Sequence, residues 1–481
     1  MKKSITSITL ITLITSITLI TLSTQSCTKA PTTFRYVTTN GLGDWQETEL
    51  PIMKETHPGI KTLLVNLQQT EQIIDGFGAC FNELGWDALN MLTGEEKEEV
   101  IKDFFSPEGF NFSICRVPIG ANDYSRDWYS LNDSARDFSM NYFSIERDKT
   151  TLIPYIKSAM EYNPGLKIWG SPWSPPAWMK VNDHYACKPG NMNDLTVEMA
   201  GREGATQFIM EEDYLESYAL YFSKFVQAYL DEGVNLYAVQ PQNEPNSCQN
   251  FPSCIWTASD QARFIGEFLG PQFLLDSIDT ELWYGTYERP FVENVDTILR
   301  HPTAGRFIKG VGFQWGGKEA IGKVHEEYPD LKLMQTESEC GDGSNDFPAA
   351  AYTWRLIKQY MENGANSYMY WNMILDETGS SHWGWKQNSL LTVNSKTGKL
   401  TRNPEFYLFR HLSHFVKPGA VKLKTPEGGD NALLFLNPGN ELVAIVVNST
   451  DERKSIQLKL GEDYVIVQLM PESFNSVSIQ L

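Results

Sequence analysis

Between residues 72 and 415 the chain repeats one pattern: a short, nearly continuous apolar run, then a longer stretch in which apolar residues return every three or four positions. The short runs, at 72–77, 112–118, 166–170, 236–241, 282–286, 310–315, 332–337 and 367–372, have the length and composition of buried strands. The longer stretches, at 93–105, 148–162, 213–231, 259–277, 291–301, 317–327, 348–363 and 404–415, read as amphipathic helices. Thr93, with Glu95 and Glu96 behind it, supplies a cap and an acidic first turn for the first of them. This alternation predicts an α/β fold, a closed (β/α)8 TIM barrel. An open doubly wound sheet would need a glycine-rich phosphate turn after its first strand, and Gly76-Phe77-Gly78-Ala79-Cys80-Phe81 lacks the third glycine.

Beyond residue 416 the period changes. Ala432-Leu433-Leu434-Phe435, the run 442–447, the alternating run 456–460 and the run 464–469 are separated by turn residues, which predicts an antiparallel β module. Strand-like runs at 33–37 and 61–65 have no partner in the barrel and are expected to join that module, giving a side β-sandwich built from both termini. The expected organisation is a leader over 1–26, sandwich strands within 28–68, a barrel over 69–416 and the rest of the sandwich over 417–481.

The leader changes the setting. Met1-Lys2-Lys3, an uncharged Ile/Leu/Thr/Ser run to Leu22, and Ser23-Thr24-Gln25-Ser26-Cys27 read as a secretory signal. The pattern resembles a bacterial lipoprotein signal, with Cys27 as the lipidated residue anchoring an exported protein to the cell envelope, on the periplasmic or surface side of the outer membrane. The many Thr and Ser argue against a retained membrane helix. In an exported protein Cys248 and Cys254, which bracket a polar loop, are free to bridge or to remain thiols. Cys80, Cys115 and Cys340 lie in or beside apolar runs and read as buried thiols, and no cysteine has zinc-site spacing.

Charge and composition narrow the ligand. A net charge of −20 argues against nucleic acid and anionic membrane surfaces as partners. With 13 Trp and 21 Tyr, the chain is rich in rings that suit neutral sugars. A monomer without metal or cofactor is expected.

Barrel enzymes act at the C-terminal ends of their strands. Glu244, in Gln242-Asn243-Glu244-Pro245, follows the fourth predicted strand, and Glu337 ends the seventh, so both should face one mouth. Two carboxylates across a cleft are the requirement of glycoside hydrolysis: one protonates the departing oxygen, the other stabilises or attacks the anomeric carbon. Arg116, on the second strand, is placed to hold a carboxylate ionised with Asp123 orienting it, or to pair with Asp123 structurally. Asn243 could donate to a sugar hydroxyl, and Trp173, Tyr287, Trp315 and Trp371, at predicted strand ends, are candidate walls of a sugar subsite. His411 and His414 share a helix face with no acid or cysteine to complete a metal site, and the 342–346 loop is a weak match for calcium.

Several separated motifs share an order. Asp75-Gly76-Phe77-Gly78, Arg116-Val117-Pro118, the run from Ser171 to Lys180, Gln242-Asn243-Glu244-Pro245 and the run from Gln335 to Cys340 together resemble glycoside hydrolase family 30, which includes acid β-glucosidase (glucosylceramidase) and β-1,6-glucanases. The resemblance implies a (β/α)8 barrel with a side β-sandwich and retaining hydrolysis of β-linked sugars. It makes Glu244 the acid/base and Glu337 the nucleophile, and places Arg116, Asp123, Trp173, Asn243 and Trp371 around the non-reducing sugar; Glu339 is a decoy. One departure is Gln314, which stands where glucosylceramidases of the family carry a histidine. The expected substrate is therefore β-1,6-glucan, with glucosylceramide-like or other β-glucosides and β-xylosides next. A surface lipoprotein that only captures glycan is the rival from another class.

Overall fold

The computed structural model describes residues 33–40, 45–429 and 431–481; the leader and Cys27 lie outside the described residues. Eight parallel strands close a barrel: Gly76–Cys80, Ile114–Pro118, Lys167–Ser171, Leu236–Val239, Glu281–Tyr287, Ile308–Gln314, Lys332–Glu337 and Ser367–Asn372. Each pairs with the next, and the eighth closes on the first.

Period-two alternation sorts the barrel interior into layers. Ile114, Trp169, Ala238, Trp283, Met334 and Met369 pack together as an apolar plug. Two residues further along five of these strands come Arg116, Ser171, Gln240, Thr336 and Trp371, all buried. One step up the barrel axis thus exchanges an apolar floor for a largely polar one.

The expected first strand at 72–77 divides in two. Thr70–Ile73 pairs with Val421–Leu423 in the side sheet, and only Gly76–Cys80 enters the barrel. Gly76 marks the change of direction: its φ is +137°, and a Cβ there would sit 1.7 Å from Ser113 Oγ. A helix at Glu83–Leu89, capped by Asn82, was not expected from the pattern; at seven residues it is too short to show a period.

Both chain ends build the side module. Its larger sheet runs Gln46–Pro51, Thr33–Asn40, Ser473–Gln480, Glu441–Asn448, Ala432–Asn437, Val421–Leu423 and Thr70–Ile73. The smaller runs Asp463–Leu469, Lys454–Leu460 and Lys61–Val65, the last pair being parallel. Alternation splits the larger sheet between two cores. Ala432, Leu434, Leu442, Ala444 and Val446 face the sandwich interior, while Leu433, Phe435, Val443, Ile445 and Val447 join the barrel's apolar core. Pro404–Phe415, the last barrel helix, fills the seam.

His411 sits fully buried in that seam, with Nδ1 2.8 Å from Ser476 Oγ and Nε2 3.0 Å from Thr39 Oγ1. His414 bonds the Gly109 carbonyl at 2.8 Å. Burial pushes the His411 imidazole down to about 3, so it is neutral in the fold. An unfolded chain takes up a proton there below about pH 6.5, so this histidine costs stability as pH falls through that value. Denaturant unfolding at pH 7 and pH 5 should show a loss for the wild type that is smaller by roughly 2 kcal/mol in His411→Gln; equal losses would contradict a neutral buried histidine.

Candidate active site

A cleft of about 650 Å³ opens at the C-terminal mouth, and among its lining residues are Asp123, Trp173, Asn243, Glu244, Glu288, Trp315 and Glu337. Glu337 is the last residue of the seventh strand, and a register shift between Phe313 and Gln314 pairs Gln314 with Glu337. Such an irregularity re-aims a strand-end side chain. Glu244 lies in the turn after the fourth strand, with φ +47°, a left-handed conformation uncommon outside glycine. Its N–H is satisfied by the Thr286 carbonyl and hydroxyl, both at 3.2 Å, and Thr286 N–H donates back to the Gln242 carbonyl at 2.8 Å. The fifth strand therefore holds the turn that carries Glu244.

Arg116 ties the site together. Its guanidinium donates to Glu337 Oε2 at 2.8 Å, to Asn243 Oδ1 at 2.7 Å and to Ser171 Oγ at 2.8 Å. It also lies 4.1 Å from the Trp173 ring centre and 4.9 Å from that of Trp169. The alternative ion pair with Asp123 is not what Arg116 forms: its recorded partner is Glu337, because the guanidinium fork is spent on acceptors across the barrel. Asn243 Oδ1 accepts from Arg116, Thr286 and Gln314, which leaves its Nδ2 as the donor it offers the cleft. Gln314 also donates to Glu244 Oε1 at 2.9 Å.

The two glutamates differ in their partners. Burial raises both carboxyls, Glu337 strongly. Glu337, however, is bonded directly to a cation, whereas the nearest donor to Glu244 is a neutral amide. A cation 2.8 Å away stabilises an anion far more than an amide does, so of these two glutamates Glu337 has the stronger support for its ionised form. Asp123 is pushed up to about 7 by burial and by the charge of Glu244, and among the described residues its buried Oδ1 has no hydrogen-bond partner.

The remaining expected residues divide. Trp371 is fully buried with its ring 5.2 Å from that of Trp173, so it backs the subsite wall instead of forming it. Trp315 reaches the cleft with 39% of its surface exposed. Tyr287 does not line the cleft: its ring packs on Tyr284 and Phe313, and its hydroxyl is spent on the Phe291 carbonyl at 2.7 Å. Glu339 is drawn away by Lys318 and Tyr352. Asp346 caps the helix Phe347–Glu362. Cys248 and Cys254 are free thiols, and the thiol in contact with Cys248 is that of Cys187, brought close by the bonds from Cys187 and Lys188 N–H to the Gln249 carbonyl.

Residues 74–416 match the glycosyl hydrolase family 30 TIM-barrel domain. The chain belongs to this family. It is a glycoside hydrolase. A Caenorhabditis elegans protein bearing a glucosylceramidase name is 29% identical over 463 residues, 91% of this chain and 84% of that one. The endo-1,6-beta-D-glucanase neg1 of Aspergillus fumigatus is 25% identical over 458 residues, 89% of this chain and 90% of that one. The crystal structure of SrfJ from Salmonella typhimurium superposes with a TM-score of 0.82 at 22% identity, covering 93% of this chain and all of that one, which shows the shared fold.

Within this family 30 cleft, sequence reasoning missed Glu288, Phe251 and Trp385. Phe251 and Trp385, on two separate loops, bring their rings to 4.6 Å at a tilt of 52°, a meeting that no local pattern records. Glu288 does carry a signal, since it is the carboxylate directly after the fifth strand's tip. Arg116→Lys should raise the pH at which Glu337 ionises by about one unit, because an ammonium cannot reproduce the planar fork. An acid limb of the pH–rate profile unmoved by that change would contradict the pairing.

Proposed function

We propose that this glycosidase cleaves β-linked glucose with retention, by double displacement, with Glu337 as nucleophile and Glu244 as acid/base. The observation that carries this reading is the unequal partnering of the two carboxylates in one cleft: a guanidinium on Glu337, an amide on Glu244. Glu337 attacks the anomeric carbon as Glu244 gives its proton to the leaving oxygen. Esterification then removes the negative charge of Glu337, the Glu244 carboxyl becomes easier to deprotonate, and it activates the water that releases the sugar. Asp123, Trp173 and Asn243 hold the sugar in the bond-cleaving position.

Glu337→Gln and Glu244→Gln should each lose at least about 10³-fold in kcat on an unactivated glucoside while still binding it. Only Glu244→Gln should recover with azide on an activated aryl glucoside, yielding the β-glycosyl azide; an unimpaired Glu337→Gln protein would remove the proposal.

For substrate we favour β-1,6-glucan. Gln314 gives Glu244 a neutral, non-titrating neighbour in place of the histidine expected of glucosylceramidases, and Trp315, Trp385 and Phe251 give the rim rings for a following sugar. The second reading, glucosylceramide or another β-glucoside, draws on the name of the 29%-identical relative. Product analysis on linear β-1,6-glucan, an aryl β-xyloside and glucosylceramide should give the glucan a kcat/KM advantage of at least about 10-fold; preference for the lipid would reverse the assignment.

We further infer export and lipid anchoring at Cys27, supported by the basic start, uncharged run and Ser26-Cys27 junction. Labelled fatty acid should enter the wild-type protein in cells and not Cys27→Ala.

A further inference from the structure

A third buried carboxylate stands behind Glu244. Glu288, 2% exposed at the tip of the fifth strand, accepts from Asn246 N–H at 2.8 Å, Asn246 Nδ2 at 3.3 Å and Ser247 Oγ at 3.0 Å. Those are the second and third residues after Glu244, so Glu288 grips the turn in which Glu244 holds its left-handed conformation. Hydrogen bonding in that turn is already served by backbone groups on both sides of Glu244. A neutral glutamine could accept from Asn246 N–H and Ser247 just as well, so the turn alone does not explain an acid.

We propose that Glu288 is a positioning residue for Glu244, holding the 244–247 turn and placing behind it a second buried carboxyl, so that the two carboxyls hold one proton between them until the leaving oxygen takes it. This rests on the two-glutamate reading above. Arg289 is the cation facing Glu288, but at 3.5 Å, and it is shared with Glu203, which it binds at 2.8 Å from the loop after the third strand. Tyr284 and Tyr287 face Glu288 from its own strand. Glu244 is faced in addition by Arg116 from the second strand, by Asp123, and by Glu337 from the seventh. Arg116 is committed to Glu337, and on the Glu288 side Arg289 also reaches Glu244 and favours its ionised form, so Glu288 and Arg289 act on Glu244 in opposite senses. The coupling shows in Glu288 itself, raised to about 7 by burial and by the charge of Glu244.

Removing a like charge lowers the pKa of the remaining acid. In Glu288→Gln the alkaline limb of kcat/KM on an unactivated glucoside should move to lower pH by about one unit. Glu288→Asp, which keeps the charge, should keep the limb near wild type. An unmoved limb in Glu288→Gln overturns the proposal, and so does an equal shift in Glu288→Asp, which would make turn geometry the cause. Should Glu288→Gln not fold, carboxyl ¹³C NMR of wild type and Glu244→Gln decides: the Glu288 resonance should titrate at lower pH once the Glu244 charge is gone, and an unchanged titration overturns the proposal. The two levels separate cleanly. An unmoved Glu288→Gln limb with inactive Glu337→Gln removes only the role of Glu288, whereas active Glu337→Gln removes the hydrolytic reading beneath it.

Discussion

A buried guanidinium on the barrel floor is the constraint to which the rest of the site is fitted. Arg116 has no exposed surface, so its charge must be satisfied by the protein, and it is satisfied by Glu337, Asn243 and Ser171 from three other strands or their loops. Trp169 and Trp173 close its faces. Each partner is thereby fixed to within the tolerance of a charge-assisted hydrogen bond, and two of them, Glu337 and Asn243, line the cleft. A pair of carboxylates in so dry a place would both take up protons. The cation breaks the symmetry between them, and the proposed division into nucleophile and acid/base rests on that difference.

The fold was legible because its signals are local and repeated. Apolar runs and helix periods gave the barrel, and the change to short alternating runs gave the side module. The least readable point was the passage between them at Thr70–Ile73, Asp75 and Gly76, where one apolar run serves two sheets. Nothing in hydropathy marks such a split; the left-handed glycine does, once its neighbours are known.

In the site, legibility followed strand ends. Glu337, Arg116 and Trp173 lie on or immediately after strands, and strand position alone brings them to the mouth. Tyr287 has the same credentials but turns into the core, because its hydroxyl finds the Phe291 carbonyl instead of solvent. Glu288 and the Phe251–Trp385 pair meet their partners across loops far apart in sequence, and Gln314, at the end of the sixth strand, reaches Glu244 across the barrel mouth, so these contacts appear only in the folded chain.

The central strands of the larger sheet of the side module have no solvent face to spare: their alternate residues belong to different cores, one of them the barrel's own. Such a sheet is a shared wall, not an appended domain. A protein cut near residue 417 would lose the inner lining of its catalytic half along with the part removed, so the sandwich and the barrel stabilise one another and should unfold together.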